Sequence, residues 1–213
     1  EAVRQVKLTP DGKTATRREA RYSYVSLLQV GPDGVAVEES REALDGPPKA
    51  PAQPLLVAGG FSMLALVLHP LYQGSYIFQN EEPDAAGLRR ISFEAVKGSK
   101  SPSALELRGK DYPIEWKGFV WLEPKSAEVV RVSSTLSHGM EDIGLRGLSA
   151  DVRYEAHVFR DPPATLWLPA TVSVEAFSRG SHWKNTQQYM DCRRFSVQSD
   201  VKTGMTNGEG TKP

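Results

Sequence analysis

The segment Val152-Arg153-Tyr154-Glu155-Ala156-His157-Val158-Phe159 decides the fold class. Val152, Tyr154, Ala156 and Val158 alternate with Arg153, Glu155, His157 and Phe159, and a period of two sends the two sets to opposite faces of a sheet. Val172, Val174 and Ala176 oppose Thr171, Ser173 and Glu175 in the same manner. Both stretches read as antiparallel strands with the apolar set inward and the polar set outward. Comparable patterns run through residues 18–30, 35–41, 88–96, 115–123, 127–136 and 183–199. Gly31-Pro32-Asp33-Gly34 and Glu123-Pro124-Lys125-Ser126 supply turn chemistry between neighbours, so consecutive strands read as hairpins. Phe119, Val120, Trp121 and Leu122 are apolar on both faces, and Tyr22, Tyr24 and Leu28 oppose Val25 and Leu27. Strands of that kind call for apolar cover on both sides and a curved sheet.

The chain has 213 residues, with Lys+Arg 26 balancing Asp+Glu 26. Such a neutral chain is not built to coat nucleic acid or an anionic membrane by charge. Its 39% hydrophobic and 24% charged residues exclude a disordered, collagenous or coiled-coil protein. One domain over residues 1–203 with a flexible tail at 204–213 is the simplest organisation. Proline-rich 45–54 and glycine-rich 203–213 read as spacers. Cys192 is the only cysteine, which rules out an intrachain disulfide and a thiolate metal cluster. Glu1 is not a natural start, so a leader was either processed away or trimmed, and a periplasmic or otherwise exported protein is expected.

Residues 50–80 contain no Asp, Glu, Lys or Arg. Within them, Leu55 to Leu68 form an uncharged run of fourteen. A bilayer span needs about 20 such residues, so no transmembrane segment is expected. Gly59-Gly60 breaks the run, and a helix is expected from Phe61 to just before Pro70. Phe61, Leu64, Ala65 and Leu68 would share one helical face, while Met63, Leu66 and Val67 make the other apolar too. Such a helix must be covered all round. Two readings stay open: a core helix, or a hydrophobic plug facing a lipid-sized cavity, to which flexible Met63 and the leucines are suited.

Motifs for covalent chemistry are missing. His69, His138, His157 and His182 are too widely spaced for a local metal motif, and the nucleophile elbow, phosphate loop and dinucleotide fingerprint do not occur. Glu81-Glu82 with Asp84, and Glu141-Asp142, read as solvated turns rather than acid–base pairs. Cys192 alternates with Met190 and Arg194, as an inert thiol on a strand would. Arg193-Arg194 then places one arginine on each face of that last strand. Trp167, within Leu166-Trp167-Leu168-Pro169, reads as the core anchor of a strand start. Trp116, Trp121, Trp167 and Trp183 could suggest carbohydrate or base stacking, but a nucleic-acid surface would be basic and the chain is neutral overall.

Three segments carry a family resemblance: Trp116-Lys117-Gly118-Phe119-Val120-Trp121-Leu122-Glu123-Pro124, Ala127-Glu128-Val129-Val130-Arg131-Val132, and Leu166-Trp167-Leu168-Pro169. Together they resemble the periplasmic lipoprotein-carrier superfamily, LolA/LolB-like, and its single-domain bacterial relatives. The resemblance spans roughly residues 15–200, and no individual lipid-transfer residue of the family maps onto a position here. It implies an α+β, mainly antiparallel β fold: a strongly curved half-barrel whose concave face is covered by short helices enclosing an apolar cavity.

The expected function is non-catalytic binding of a lipid, acyl chain or lipoprotein at the cell envelope. The contact residues would be Phe61, Met63, Leu64, Leu66, Val67, Leu68, Tyr72, Phe119 and Trp121, with no metal and no cofactor. An envelope sensor or protein-interaction domain with a filled core and a protein partner is the alternative. The third possibility is an enzyme in which His157, His182, Asp191 and Arg193 converge.

Overall fold

A computed structural model describes residues 1–9, 11–31, 34–46, 61–107, 109–160, 162–178 and 180–194, without the side chains of Ala36, Ser62, Met63 and Glu106. The spacer expected at 45–54 lies beyond the description from residue 47, as does the tail at 203–213. The chain is mostly antiparallel β. In order it forms β1 (Ala2–Leu8), β2 (Thr14–Gly31), β3 (Gly34–Ala43), α1 (Ser62–Ala65), α2 (Pro70–Gln73), β4 (Tyr76–Glu81), β5 (Arg89–Ala95) and β6 (Ala104–Leu107). There follow β7 (Lys110–Pro113), β8 (Trp116–Leu122), β9 (Val129–Leu136), β10 (Leu145–Arg160), β11 (Pro163–Ser178) and β12 (Ser181–Gln188). One sheet takes ten of the strands in the order β3-β2-β1-β12-β11-β10-β9-β8-β5-β4, and β6-β7 make a separate hairpin. The large sheet is not a closed barrel, because β3 and β4 form its two edges.

Alternation at 152–159 and 172–176 produces the long β10–β11 hairpin, with Val152 opposite Val172. Gly31 pairs with Gly34 across the expected β2–β3 turn. At the second turn the Glu123 carboxylate accepts the backbone N–H groups of Lys125 (2.7 Å) and Ser126 (2.6 Å). Those bonds hold the exposed Glu123 carboxyl below its ordinary pKa.

The core follows from register. Val120, Val132, Val152 and Val172 stand side by side across β8 to β11, each no more than 1% exposed. That row continues into Gln187 of β12 and Val3 of β1, both buried. Gly118 on β8 lets β9 approach closely: a Cβ there would lie 2.7 Å from Ser134 Cα and closer still to the Ser133 carbonyl. Gly118→Ala should therefore cost about 1–3 kcal/mol. In thermal melts that is a fall of roughly 2–4 °C per kcal/mol for a chain of this size. An unchanged melting temperature would show that β8 and β9 can move apart freely.

Several sequence expectations are corrected. The last strand stops at Gln188 instead of Ser199, and Asp191 adopts φ 54°, so Met190, Cys192 and Arg194 alternate in sequence but not on a strand. Arg193 and Arg194 consequently do not sit on two faces of one. Trp167 is half-buried in the middle of β11, not a core anchor at its start. β1, β4, β6 and β7 have no counterpart among the strands expected from the sequence. In the second half of β2, Leu27 (43% exposed) and Leu28 (58%) remain in solvent rather than under apolar cover.

Candidate functional site

The helix expected from Phe61 to Pro70 is a single turn, α1, followed by irregular turns through Leu68. Pro70 opens α2 instead of ending a helix, because its missing N–H and fixed φ suit a first helical position. His69 caps α2, its Nδ1 accepting the Leu71 N–H at 3.3 Å. α1 has no side-chain cap. One turn of helix cannot sustain itself in water, so its position depends on packing.

That packing is tight. Leu64 (1% exposed), Leu66 (4%), Val67 (0%) and Tyr72 (6%) join one buried cluster with Trp116, Val120, Val132, Val152 and Val174. Phe61 and Leu68 are half-buried against the same cluster. Phe61 meets Tyr154 edge-on, with ring centroids 6.3 Å apart. Trp116 is fully enclosed, and its Nε1–H donates to Ser103 Oγ at 3.1 Å. The Tyr72 hydroxyl donates to the Val35 carbonyl at 3.0 Å, tying the segment before edge strand β4 to the start of edge strand β3. Six of the expected contact residues, Phe61, Leu64, Leu66, Val67, Leu68 and Tyr72, are thus brought together, and Met63 falls among the undescribed side chains.

Phe119 and Trp121 are not brought there. Trp116 and Val120 point into the cluster, so period two sends Phe119 and Trp121 to the opposite face. The two rings contact each other, centroids 6.0 Å apart, and each carries an arginine. The Arg131 guanidinium lies 4.5 Å from the Trp121 ring centroid, and that of Arg90 5.2 Å from the Phe119 centroid. Asp151 holds Arg131 through Nε at 2.8 Å. With the arginines these two aromatic residues form a cross-strand cation–π ladder on the face of β8 opposite the buried cluster.

The buried face changes character beyond β11. Asn185 and Gln187 of β12 are 0% exposed, and Gln5 of β1, opposite Asn185, is 3% exposed. Sequence patterning missed them because polar residues occupy inward positions. Further along, Arg41 lies between Glu1 (Nε to Oε2, 2.7 Å) and Glu39 (Nη1 to Oε2, 3.1 Å) and over the Tyr24 ring at 4.7 Å. All three ionic side chains are at most 11% exposed. Burial alone would lower the Arg41 pKa, but the hydrogen bonds and charges of Glu1 and Glu39 raise it. Burial, reinforced by Glu39, raises that of Tyr24.

An open groove of about 530 Å³ lies elsewhere, bordered by Ala2, Arg4, Glu19, Arg21, Asp45 and Gln188. Its charges are paired, Arg21 with Asp45 at 2.7 Å and Arg4 with Glu19 at 4.0 Å. Its apolar lining is limited to the small side chains of Ala2, Val3 and Ala20, set among these ion pairs.

On the outward face, Glu175 receives Lys184 Nζ at 2.7 Å and contacts His182 Nε2 at 3.2 Å. Burial would raise the Glu175 pKa, but these hydrogen bonds lower it overall below its ordinary 4.5. A carboxyl with a depressed folded-state pKa stabilises the fold above its unfolded pKa, and this contribution disappears as pH falls through the lower folded value. Thermal melts should therefore show a stability loss below about pH 4.5 that Glu175→Gln reduces, by no more than about 1 kcal/mol for a partly exposed network. Identical pH profiles would show that the network contributes nothing.

Among the described residues, no hydrogen bond joins any two of His157, His182, Asp191 and Arg193, and no group of three His, Cys, Asp or Glu side chains is arranged to hold a metal. No helix among them is long and apolar enough to cross a membrane. Comparison of the chain with protein-family models, with curated proteins and with solved structures returned no match.

Proposed function

We propose that this is a non-catalytic cell-envelope protein that shelters a lipid, acyl chain or lipoprotein lipid in its apolar interior, where the ligand takes the place of segment 61–72. In this reading the sheet is a strongly curved half-barrel, and α1 and α2 lie across its concave face. The Tyr72–Val35 hydrogen bond, which links segments next to opposite edges of the sheet, supports the curvature. One observation carries the reading: Leu64, Leu66 and Val67 are almost wholly buried although Leu64 sits on a single uncapped turn and Leu66 and Val67 on the irregular turns after it. The plug is apolar enough to fill the interior and too short to resist displacement on its own.

Magnitudes permit exchange. Burying a leucine or valine side chain contributes about 1.5–3 kcal/mol, so Leu64, Leu66 and Val67 together contribute roughly 5–9 kcal/mol, to which Tyr72, Phe61 and Leu68 add. An acyl chain of about 14 carbons contributes about 11 kcal/mol at roughly 0.8 kcal/mol per CH₂. The two burials are of the same order, so ligand and plug can exchange without covalent chemistry, and a partner with a larger apolar surface can remove the ligand again.

A second reading is an envelope sensor or interaction domain whose core stays filled. The complete enclosure of Val67, Ile114 and Trp116 favours it. Native mass spectrometry before and after delipidation separates the two. A co-purifying lipid that rebinds at one per chain supports the carrier; a lipid-free chain that takes up no acyl probe supports the filled core.

A further inference from the structure

Gln5 is 3% exposed, and neither its side-chain nitrogen nor its side-chain oxygen has a hydrogen-bond partner. An amide in that state destabilises a fold unless something else uses it. Its surroundings are organised: Gln5 lies opposite Asn185, Asn185 opposite Val174, and Val174 opposite Ala150. The row ends at Ser134, opposite Ala150 on β9, 5% exposed and with its Oγ unpartnered. Val174 and Ala150 belong to the same buried cluster as Leu64, Leu66 and Val67. Strand spacing places Gln5 about 10 Å from Val174, well within the length of one acyl chain.

We propose that Gln5 binds the polar head of the ligand, which is an amphiphile with an uncharged head able both to donate and to accept hydrogen bonds, a hydroxyl-bearing acyl ester, and not a bare hydrocarbon. The inference rests on the carrier reading: the chain lies over Val174 and Ala150 in place of the plug, and the head meets Gln5 beside Asn185. Gln5 offers two donors and an acceptor, which an ester carbonyl and a hydroxyl complement. Two cations lie near Gln5: Arg18 opposite it on β2, an exposed side chain already engaged in an interaction of its own, and half-buried Lys7 two residues along β1, whose Nζ lies 5.6 Å from the Trp183 ring centroid. The buried groups around the head are therefore amides, which suit a neutral head better than a carboxylate.

The test uses delipidated full chain and diphenylhexatriene, an uncharged hydrocarbon probe, displaced either by monooleoylglycerol or by 1-octadecene. The unaltered protein should bind the probe and prefer monooleoylglycerol by about tenfold or more, the equivalent of one or two hydrogen bonds. Gln5→Met should retain probe binding and lose most of that preference, while its melting temperature stays level or rises. Ser134→Ala, at the far end of the row, should keep the preference. If the probe binds but the preference is absent, or survives in Gln5→Met, or vanishes only in Ser134→Ala, the head-group assignment is wrong and the carrier reading stands. If the probe does not bind at all, the carrier reading fails and this inference with it.

Discussion

Leu66→Glu should unfold the protein or bring it close to unfolding. Leu66 is 4% exposed within an apolar cluster that includes Leu64, Val67, Trp116 and Val120. A carboxylate placed there either stays charged without a partner or takes up a proton, and both outcomes are costly. A lone buried charge typically costs about 3–5 kcal/mol. Domains are stable by only about 5–15 kcal/mol. Chemical denaturation should show the loss directly, and Leu66→Met, which keeps volume and polarity, should cost less than about 1.5 kcal/mol. If Leu66→Glu melts like the parent, the plug swings into solvent at little cost. Acyl-probe binding by that variant should then equal or exceed the parent's, since its interior would already be vacant.

Arg41→Met should be nearly as damaging, for an electrostatic reason. The guanidinium contacts the carboxylates of Glu1 and Glu39 and lies on Tyr24 in a setting where none of the ionic groups is more than 11% exposed. Methionine fills similar volume but leaves two nearby carboxylates in a dry site without their cation. Breaking such a pair from one side costs about 3–5 kcal/mol, much of it the penalty on the charges left behind. Arg41→Met combined with Glu39→Gln should recover part of that loss, since one stranded charge is removed. Equal stabilities for the single and double variants in denaturant titrations would mean that the carboxylates escape to water and that Arg41 is not their counter-charge.

The two effects concern opposite ends of the buried face, and the sequence disclosed these ends unequally. β10 and β11 were legible because Val152, Val172 and Val174 bury alternate positions and polar residues fill the others. β1 and β12 obey the same geometry, but Gln5, Asn185 and Gln187 occupy their inward positions, so hydrophobic alternation does not reveal which face is inside. Residues 189–194 erred the other way. Met190, Cys192 and Arg194 continue the alternation although the strand has ended at Gln188 and the backbone turns at Asp191.

The plug was legible as a buried apolar segment because residues 50–80 carry no charge. Its length was not. The run from Phe61 to Leu68 contains good helix formers, and what limits α1 to Ser62–Ala65 is where the core can receive Leu66 and Val67. Phe119 and Trp121 show the limit of treating aromatic rings as greasy. Their cover comes from Arg90 and Arg131 on neighbouring strands, and such a cross-strand partner becomes apparent only once the register is known. Tyr72, expected simply as a contact residue, also anchors the segment through its hydroxyl to Val35.

The central claim is that ligand and plug compete for one space. Hydrogen–deuterium exchange across residues 61–73, with and without a saturating acyl ligand such as monooleoylglycerol, measures that competition most directly. Exchange in this segment should accelerate when ligand is bound, while β9, β10 and β11 stay protected. A ligand that binds yet leaves residues 61–73 equally or better protected would contradict displacement and place the binding site elsewhere on the molecule.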